Sequence, residues 1–154
     1  MKTEIEGKLH RLLDERDQAK KKSAEQAALR QSAEEKNLED FFAKRDSVIR
    51  PALQEIVTLY QSRGIFARIE ETSEGEHTSA GPSRQPTIGI DLAGPNFHNQ
   101  VMKPHFTFYF YKESRKLMLH TSTGSQAGPA GDLPLDSIST DWIHEAFLKY
   151  EGVQ

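Results

Sequence analysis

From Lys2 to Arg45 the chain contains no proline and a single glycine, Gly7. Ala, Glu, Lys, Gln, Leu and Arg dominate the stretch, and all of these keep most of their rotamer freedom in a helix. An uninterrupted helix here makes a rod of about 60 Å, at ~1.5 Å per residue. So polar a rod is not held by propensity alone and needs a surface along its apolar edge. Ile5, Leu9 and Leu12 trace that edge with a four-then-three spacing, and Leu13 stands beside them. The series runs on through Arg16, Ala19, Ser23, Gln26, Arg30, Ala33 and Asn37, which are poor in apolar surface. Ala24, Ala27 and Ala28 offer a stripe of small residues instead, and large apolar residues return at Leu38, Phe41 and Phe42. The spacing predicts that residues 1–45 form a coiled coil with a second copy of the chain, with Ile5, Leu9, Leu12, Leu38 and Phe42 as the dimer seam. Whether the helices pair parallel or antiparallel is left open at this level.

Charge narrows the partners. The first 45 residues carry 11 Lys/Arg and 10 Asp/Glu, and the whole chain has a net charge of −3, so nothing in the bulk charge predicts nucleic-acid binding. Lys20-Lys21-Lys22 reads as a solvated helix face with acidic residues on both sides. The chain has no cysteine, which excludes disulfides, thiolate catalysis and Cys-based zinc sites and fits a cytoplasmic protein. No apolar run approaches the ~20 residues of a membrane span, and the N-terminus is too charged for a signal peptide.

Residues 46–154 carry the pattern of a small α+β head. Asp46 or Ser47 is placed to cap a second helix, with Ile49, Leu53, Ile56, Val57 and Tyr60 as its apolar stripe and Gly64 as its stop. Pro51 either sits in the first turn of that helix or marks a kink in one continuous helix. The period then changes to two. Four strands are expected, at Ile65–Glu71, Thr87–Leu92, His105–Tyr111 and Lys116–Thr123. Residues 71–85 read as a mobile polar loop, and residues 93–104 and 124–134 as further loops. A last helix runs from about Thr140 to Tyr150, capped by Ser139, Thr140 or Asp141. Short connections between consecutive strands favour an antiparallel four-stranded sheet, packed by the second helix and the C-terminal helix.

The hairpin at 105–123 allows its register to be argued. With Phe110 opposite Leu117, Phe108 opposite Leu119 and Phe106 opposite Thr121, every Phe and Leu shares one face and Lys112 to Arg115 form the turn. A slip of one residue would split that core. The other face then holds His105, Thr107, Tyr109 and Tyr111 beside Lys116, Met118, His120 and Ser122. An ordinary half-wet sheet surface accounts for this mixture. As a contact surface for a protein partner, its anchors are Tyr109, Tyr111, Met118 and His120.

Signals for chemistry are sparse. His98, His105 and His120 are the candidate metal cluster, with His105 and His120 diagonal neighbours in this register. A zinc site needs about four ligands, and neither Cys nor a placed carboxylate completes the set. The glycine-rich run Gly124–Gly131 lacks the Lys and Ser/Thr of a phosphate loop. No nucleophile elbow or His-Glu-x-x-His occurs. No catalytic residue, metal or cofactor is therefore assigned. The alternative to an interaction protein is a small-ligand or enzymatic domain, with a pocket holding His98 and a carboxylate near loops 93–103 and 124–134.

The segment VIRPALQEIVTLYQSRG, a helix with Arg-Pro near its start that runs into a strand, resembles one found in small bacterial proteins of uncharacterised function. The resemblance covers about residues 45–70 and implies no activity. The resulting expectation is a non-enzymatic homodimer that pairs through its N-terminal helix and presents a sheet face to a partner.

Overall fold

The computed structural model describes residues 2–74, 77–78, 81–82, 85–95, 97 and 103–152. Helix α1 (Thr3–Lys44) passes through a five-residue π-helical turn (Arg45–Ile49) into helix α2 (Arg50–Ser62). The backbone stays helical across the join, where Arg50 N–H donates to the Arg45 carbonyl. This answers the question raised by Pro51. Its ring would crowd the carbonyl four residues back and it has no N–H to offer; the wider i→i−5 turn just before it relieves both conflicts. Asp46 and Ser47 are consequently not helix caps, as the sequence led us to expect, but lie inside the π turn. The Asp46 carboxylate accepts from Arg45 Nε at 3.0 Å and Arg50 Nη1 at 2.7 Å.

Contacts divide the chain into two units, Met1–Lys36 and Asn37–Gln154. In the first, every described residue from Lys2 to Ala33 is exposed. The second is an α+β unit. Strands β1 (Arg68–Thr72), β4 (Thr87–Asp91), β5 (His105–Tyr111), β6 (Lys116–Ser122) and β7 (Ala127–Pro134) form a five-stranded antiparallel meander in that order. Strands β2 (His77–Thr78) and β3 (Gly81–Pro82) pair as a separate short hairpin, inside the segment expected to be a loop. Helix α3 (Thr140–Gly152) closes the unit, and Ser139 Oγ caps it by accepting from Trp142 N–H at 3.1 Å.

The sheet has five strands rather than the expected four, the added one being β7, AGPAGDLP. Gly, Ala and Pro carry little strand propensity, and the segment reads as a loop by composition. It is nonetheless an edge strand, where Pro129 and Pro134 are tolerated, and it satisfies the otherwise open edge of β6. Leu133 faces Leu117 and is buried. A bulge between Leu119 and His120 interrupts the ladder. Strand β1 begins at Arg68, three residues later than expected; Ile65 and Phe66 precede it and are exposed.

The β5–β6 register is the one argued from hydrophobicity: Phe110 faces Leu117, Phe108 faces Leu119 and Phe106 faces Thr121. The Phe and Leu side chains among these, with Ile88, Ile90 and Leu133, line the inner face. Over them lie Ala52, Leu53, Ile56 and Val57 of α2 and Ile143, Phe147 and Tyr150 of α3. The last turn of α1 joins the same core. Phe41 is fully buried and stacks on Phe110, ring centroids 4.7 Å apart and 7° from parallel. Gly89 is demanded by close approach, since a Cβ there would lie 2.4 Å from the Phe106 carbonyl oxygen and 2.6 Å from Thr107 Oγ1.

Two arginines tie helix to sheet within this second unit. Arg115 ends the β5–β6 turn with φ +56°. Its Nη1 donates to Asp40 Oδ2 at 2.5 Å and Asn37 Oδ1 at 3.1 Å, and its Nη2 to Asp136 Oδ1 at 2.8 Å. Asn37 Nδ2 in turn donates to the Lys112 carbonyl at 2.8 Å. Arg50 grips Glu71 of β1 with Nη2 at 2.7 and 2.9 Å from the two carboxylate oxygens.

Candidate functional site

Alternation along β5 and β6 places His105, Thr107, Tyr109 and Tyr111 on the sheet face turned away from the core, with Met118, His120 and Ser122 across from them. Tyr109 is paired with Met118, Tyr111 with Lys116 and Thr107 with His120. The four partner-face residues expected from sequence, Tyr109, Tyr111, Met118 and His120, are thus brought together on one surface, and all four are half-buried.

His105 and His120 sit diagonally, as the register requires, and they bond to each other. Their rings lie 8° from parallel and meet edge to edge, with centroids 5.0 Å apart and His105 Nε2 2.8 Å from His120 Nδ1. His105 Nδ1 lies 2.7 Å from the Lys103 carbonyl oxygen. A carbonyl only accepts, so this nitrogen carries a proton. In the neutral ring Nε2 of His105 then accepts, and His120 Nδ1 donates. Burial, and next the charge His105 can carry, hold the His120 pKa below its ordinary value. The edge of Tyr109 meets the His120 ring at 6.2 Å. Burial, and next Tyr111, push the Tyr109 hydroxyl above the usual phenol range. No cluster of three or more metal-ligating side chains occurs among the described residues. His98 lies outside the described residues.

The residues expected at a dimer seam divide into two groups. Ile5, Leu9 and Leu12 are 49%, 43% and 61% exposed. Leu38 and Phe42 are partly buried and pack against the head core. Leu13 and Leu29 of α1 are exposed as well.

Two clefts flank the loops named in the alternative reading. One, of about 420 Å³, lies between α3 and the first half of β7, with Trp142, Tyr150, Thr121, Pro129, Glu145 and Lys149 among its walls. It opens because Gly128, Pro129 and Ala130 put almost no side chain over the sheet at that edge. The other, of about 270 Å³, holds Asp91 between Arg68 and Lys103, beside Phe66 and Phe97. Asp91 is nearly fully buried; its Oδ2 lies 3.3 Å from Arg68 Nη2 and 3.2 Å from Lys103 Nζ, and its Oδ1 accepts from Ala93 N–H at 2.9 Å. Sequence reasoning missed this carboxylate. Its signal was position: Asp91 ends a strand of otherwise uncharged residues, TIGID, at an outward place between apolar neighbours.

No helix among the described residues is long and apolar enough to cross a membrane. No protein-family model matches the chain, and neither a curated protein nor a solved structure is significantly similar to it.

Proposed function

We propose that this protein is a non-enzymatic homodimeric scaffold, in which α1 pairs with a second copy as a coiled coil and the outer sheet face receives a protein partner. One observation carries the reading: Ile5, Leu9 and Leu12 lie on one stripe of a 42-residue helix and remain 43–61% exposed. Burying one such side chain is worth about 1.5–3 kcal/mol, so three adjacent layers in two chains supply a sizeable driving force. Tyr109, Tyr111, Met118 and His120 are the proposed partner contacts, because Tyr and Met are enriched where proteins touch. Sedimentation tests the pairing. Wild type is expected to run as a dimer and the double variant Leu9→Ser/Leu12→Ser as a monomer; a wild type that stays monomeric at high concentration defeats the proposal.

The cleft between β7 and α3 supports a second reading, a small-ligand domain. Its volume of about 420 Å³ falls in the range of small-molecule sites, roughly 300–1,000 Å³. Trp142 lines the cleft and is the only tryptophan, so a ligand seated there shifts or quenches the intrinsic fluorescence. A metabolite library that leaves the emission unchanged counts against this reading.

A further inference from the structure

We infer that α1 pairs with its second copy parallel and in register, with Glu15 of each chain against Lys20 of the other. The inference rests on the pairing proposed above and adds its direction. Helix α1 is uninterrupted from Thr3 to Lys44, so the seven-residue register set by Ile5, Leu9 and Leu12 carries forward without a slip. The seam then continues through Arg16, Ala19, Ser23, Gln26, Arg30 and Ala33. Glu15 and Lys20 flank it on opposite sides, and both are exposed.

In a parallel pair, the residue flanking one seam position meets the residue five places further along the other chain. Glu15 therefore meets Lys20, twice by symmetry. The other facing positions are Lys8 with Leu13, Lys22 with Ala27 and Leu29 with Glu34, and none sets like charges together. Ile5, Leu9 and Leu12 each face their own copy, which keeps all three apolar layers. Arg16 facing Arg16 and Arg30 facing Arg30 are the unfavourable layers. Each Arg16 lies next to Glu15 of the other chain, which offsets part of that repulsion.

Antiparallel pairs fail on one of two counts. Overlaps that set Ile5 opposite Leu9, Ser23 or Asn37 bring Lys8 against Lys8, Lys22 or Lys36. Overlaps that instead bring Lys8, Lys22 or Lys36 to Glu15 set Ile5 opposite Arg16, Arg30 or Lys44. Full-length overlap meets a further obstacle, because the Asn37 side chain is already held by the Lys112 carbonyl and Arg115.

The absence of native cysteine makes the test direct. Ala19→Cys and Gln26→Cys, made singly in the full chain, are expected to sediment as dimers under reducing conditions and to oxidise to covalent homodimers. In the antiparallel overlaps neither position faces itself. Glu15→Lys is expected to raise the dimer dissociation constant about tenfold by replacing two attractive pairs with two repulsive ones, and Glu15→Lys/Lys20→Glu to restore it. A dimer that neither cross-links at these positions nor recovers with the double swap overturns the direction and leaves the pairing intact. A monomeric wild type overturns both.

Discussion

Arg115 shows how one residue can carry opposed local and tertiary demands. Its φ of +56° is a conformation that costs a non-glycine residue about 1–2 kcal/mol. Its guanidinium meets Asp40, Asn37 and Asp136 in return. Arg115→Ala loses the contacts and keeps the strain, whereas Arg115→Gly loses the contacts and the strain. Both are expected to unfold at lower denaturant than wild type, with the Gly variant the more stable of the two by about 1 kcal/mol. The hydrogen bond from Arg115 is also the main reason the Asp136 carboxyl titrates below its ordinary range. A carboxyl depressed in the folded state stabilises the fold above its unfolded pKa, and the contribution is lost as pH falls through the folded value. Acid unfolding followed by circular dichroism is therefore expected to be shallower in Arg115→Ala than in wild type.

His120 is a second case with its own window. The fold favours its neutral form, and the unfolded chain takes up the proton first as pH drops below about 6.5. Stability contributed by neutral His120 is present above that value, declines as pH falls toward the lower folded pKa, and levels off beneath it. The groups facing the ring are His105 and Tyr109. Thermal midpoints measured from pH 7 to 5 are expected to decline in wild type and to decline less in His120→Gln. The hydrophobic register placed the two rings as diagonal neighbours, and the structure has them there. Their direct bond was not legible, because it depends on the path of the Lys103 carbonyl, which lies outside any strand.

Among the elements, α1 is the one whose two ends live in different surroundings. Its N-terminal stripe is exposed, while Phe41 stacks inside the head. Truncating a fully buried Phe costs about 3–5 kcal/mol, so Phe41→Ala is expected to shift the unfolding midpoint of the head, measured by urea titration followed by circular dichroism. Leu9→Ala, on the exposed stripe, is expected to leave the head transition nearly where it was. Strand β7 marks the limit of element reading from sequence. Its glycines and prolines argue against a strand, and what makes it one is the open edge of β6 and the pocket for Leu133, both supplied by distant chain. The π turn is the reverse case: Pro51 announced a disturbance in the helix, and the choice between a break and a widened turn waited on Ile49 and Leu53, which are both buried in one core.

At the scale of the whole molecule, the described core draws on nothing before Leu38. A fragment of residues 37–154 is therefore expected to keep a cooperative thermal transition and the single-Trp emission of the full chain. It is also expected to sediment as a monomer, since the proposed seam at Ile5, Leu9 and Leu12 is gone. A fragment that dimerises as tightly as the full chain would place the self-association in the head instead.

Composition by itself determined the helical N-terminal stretch, because helix formers run from Lys2 to Arg45 with no proline; periodicity determined the three-phenylalanine face of β5 and its register on β6, because a one-residue slip exposes the same apolar side chains at once. Tertiary structure alone decided that a glycine- and proline-rich segment becomes the fifth strand, that the helix continues through Pro51, and that Asp91 is buried between Arg68 and Lys103. Each of those outcomes turns on groups far apart in the chain, and no local pattern records the hydrogen bond or the counter-ion that a distant segment will supply.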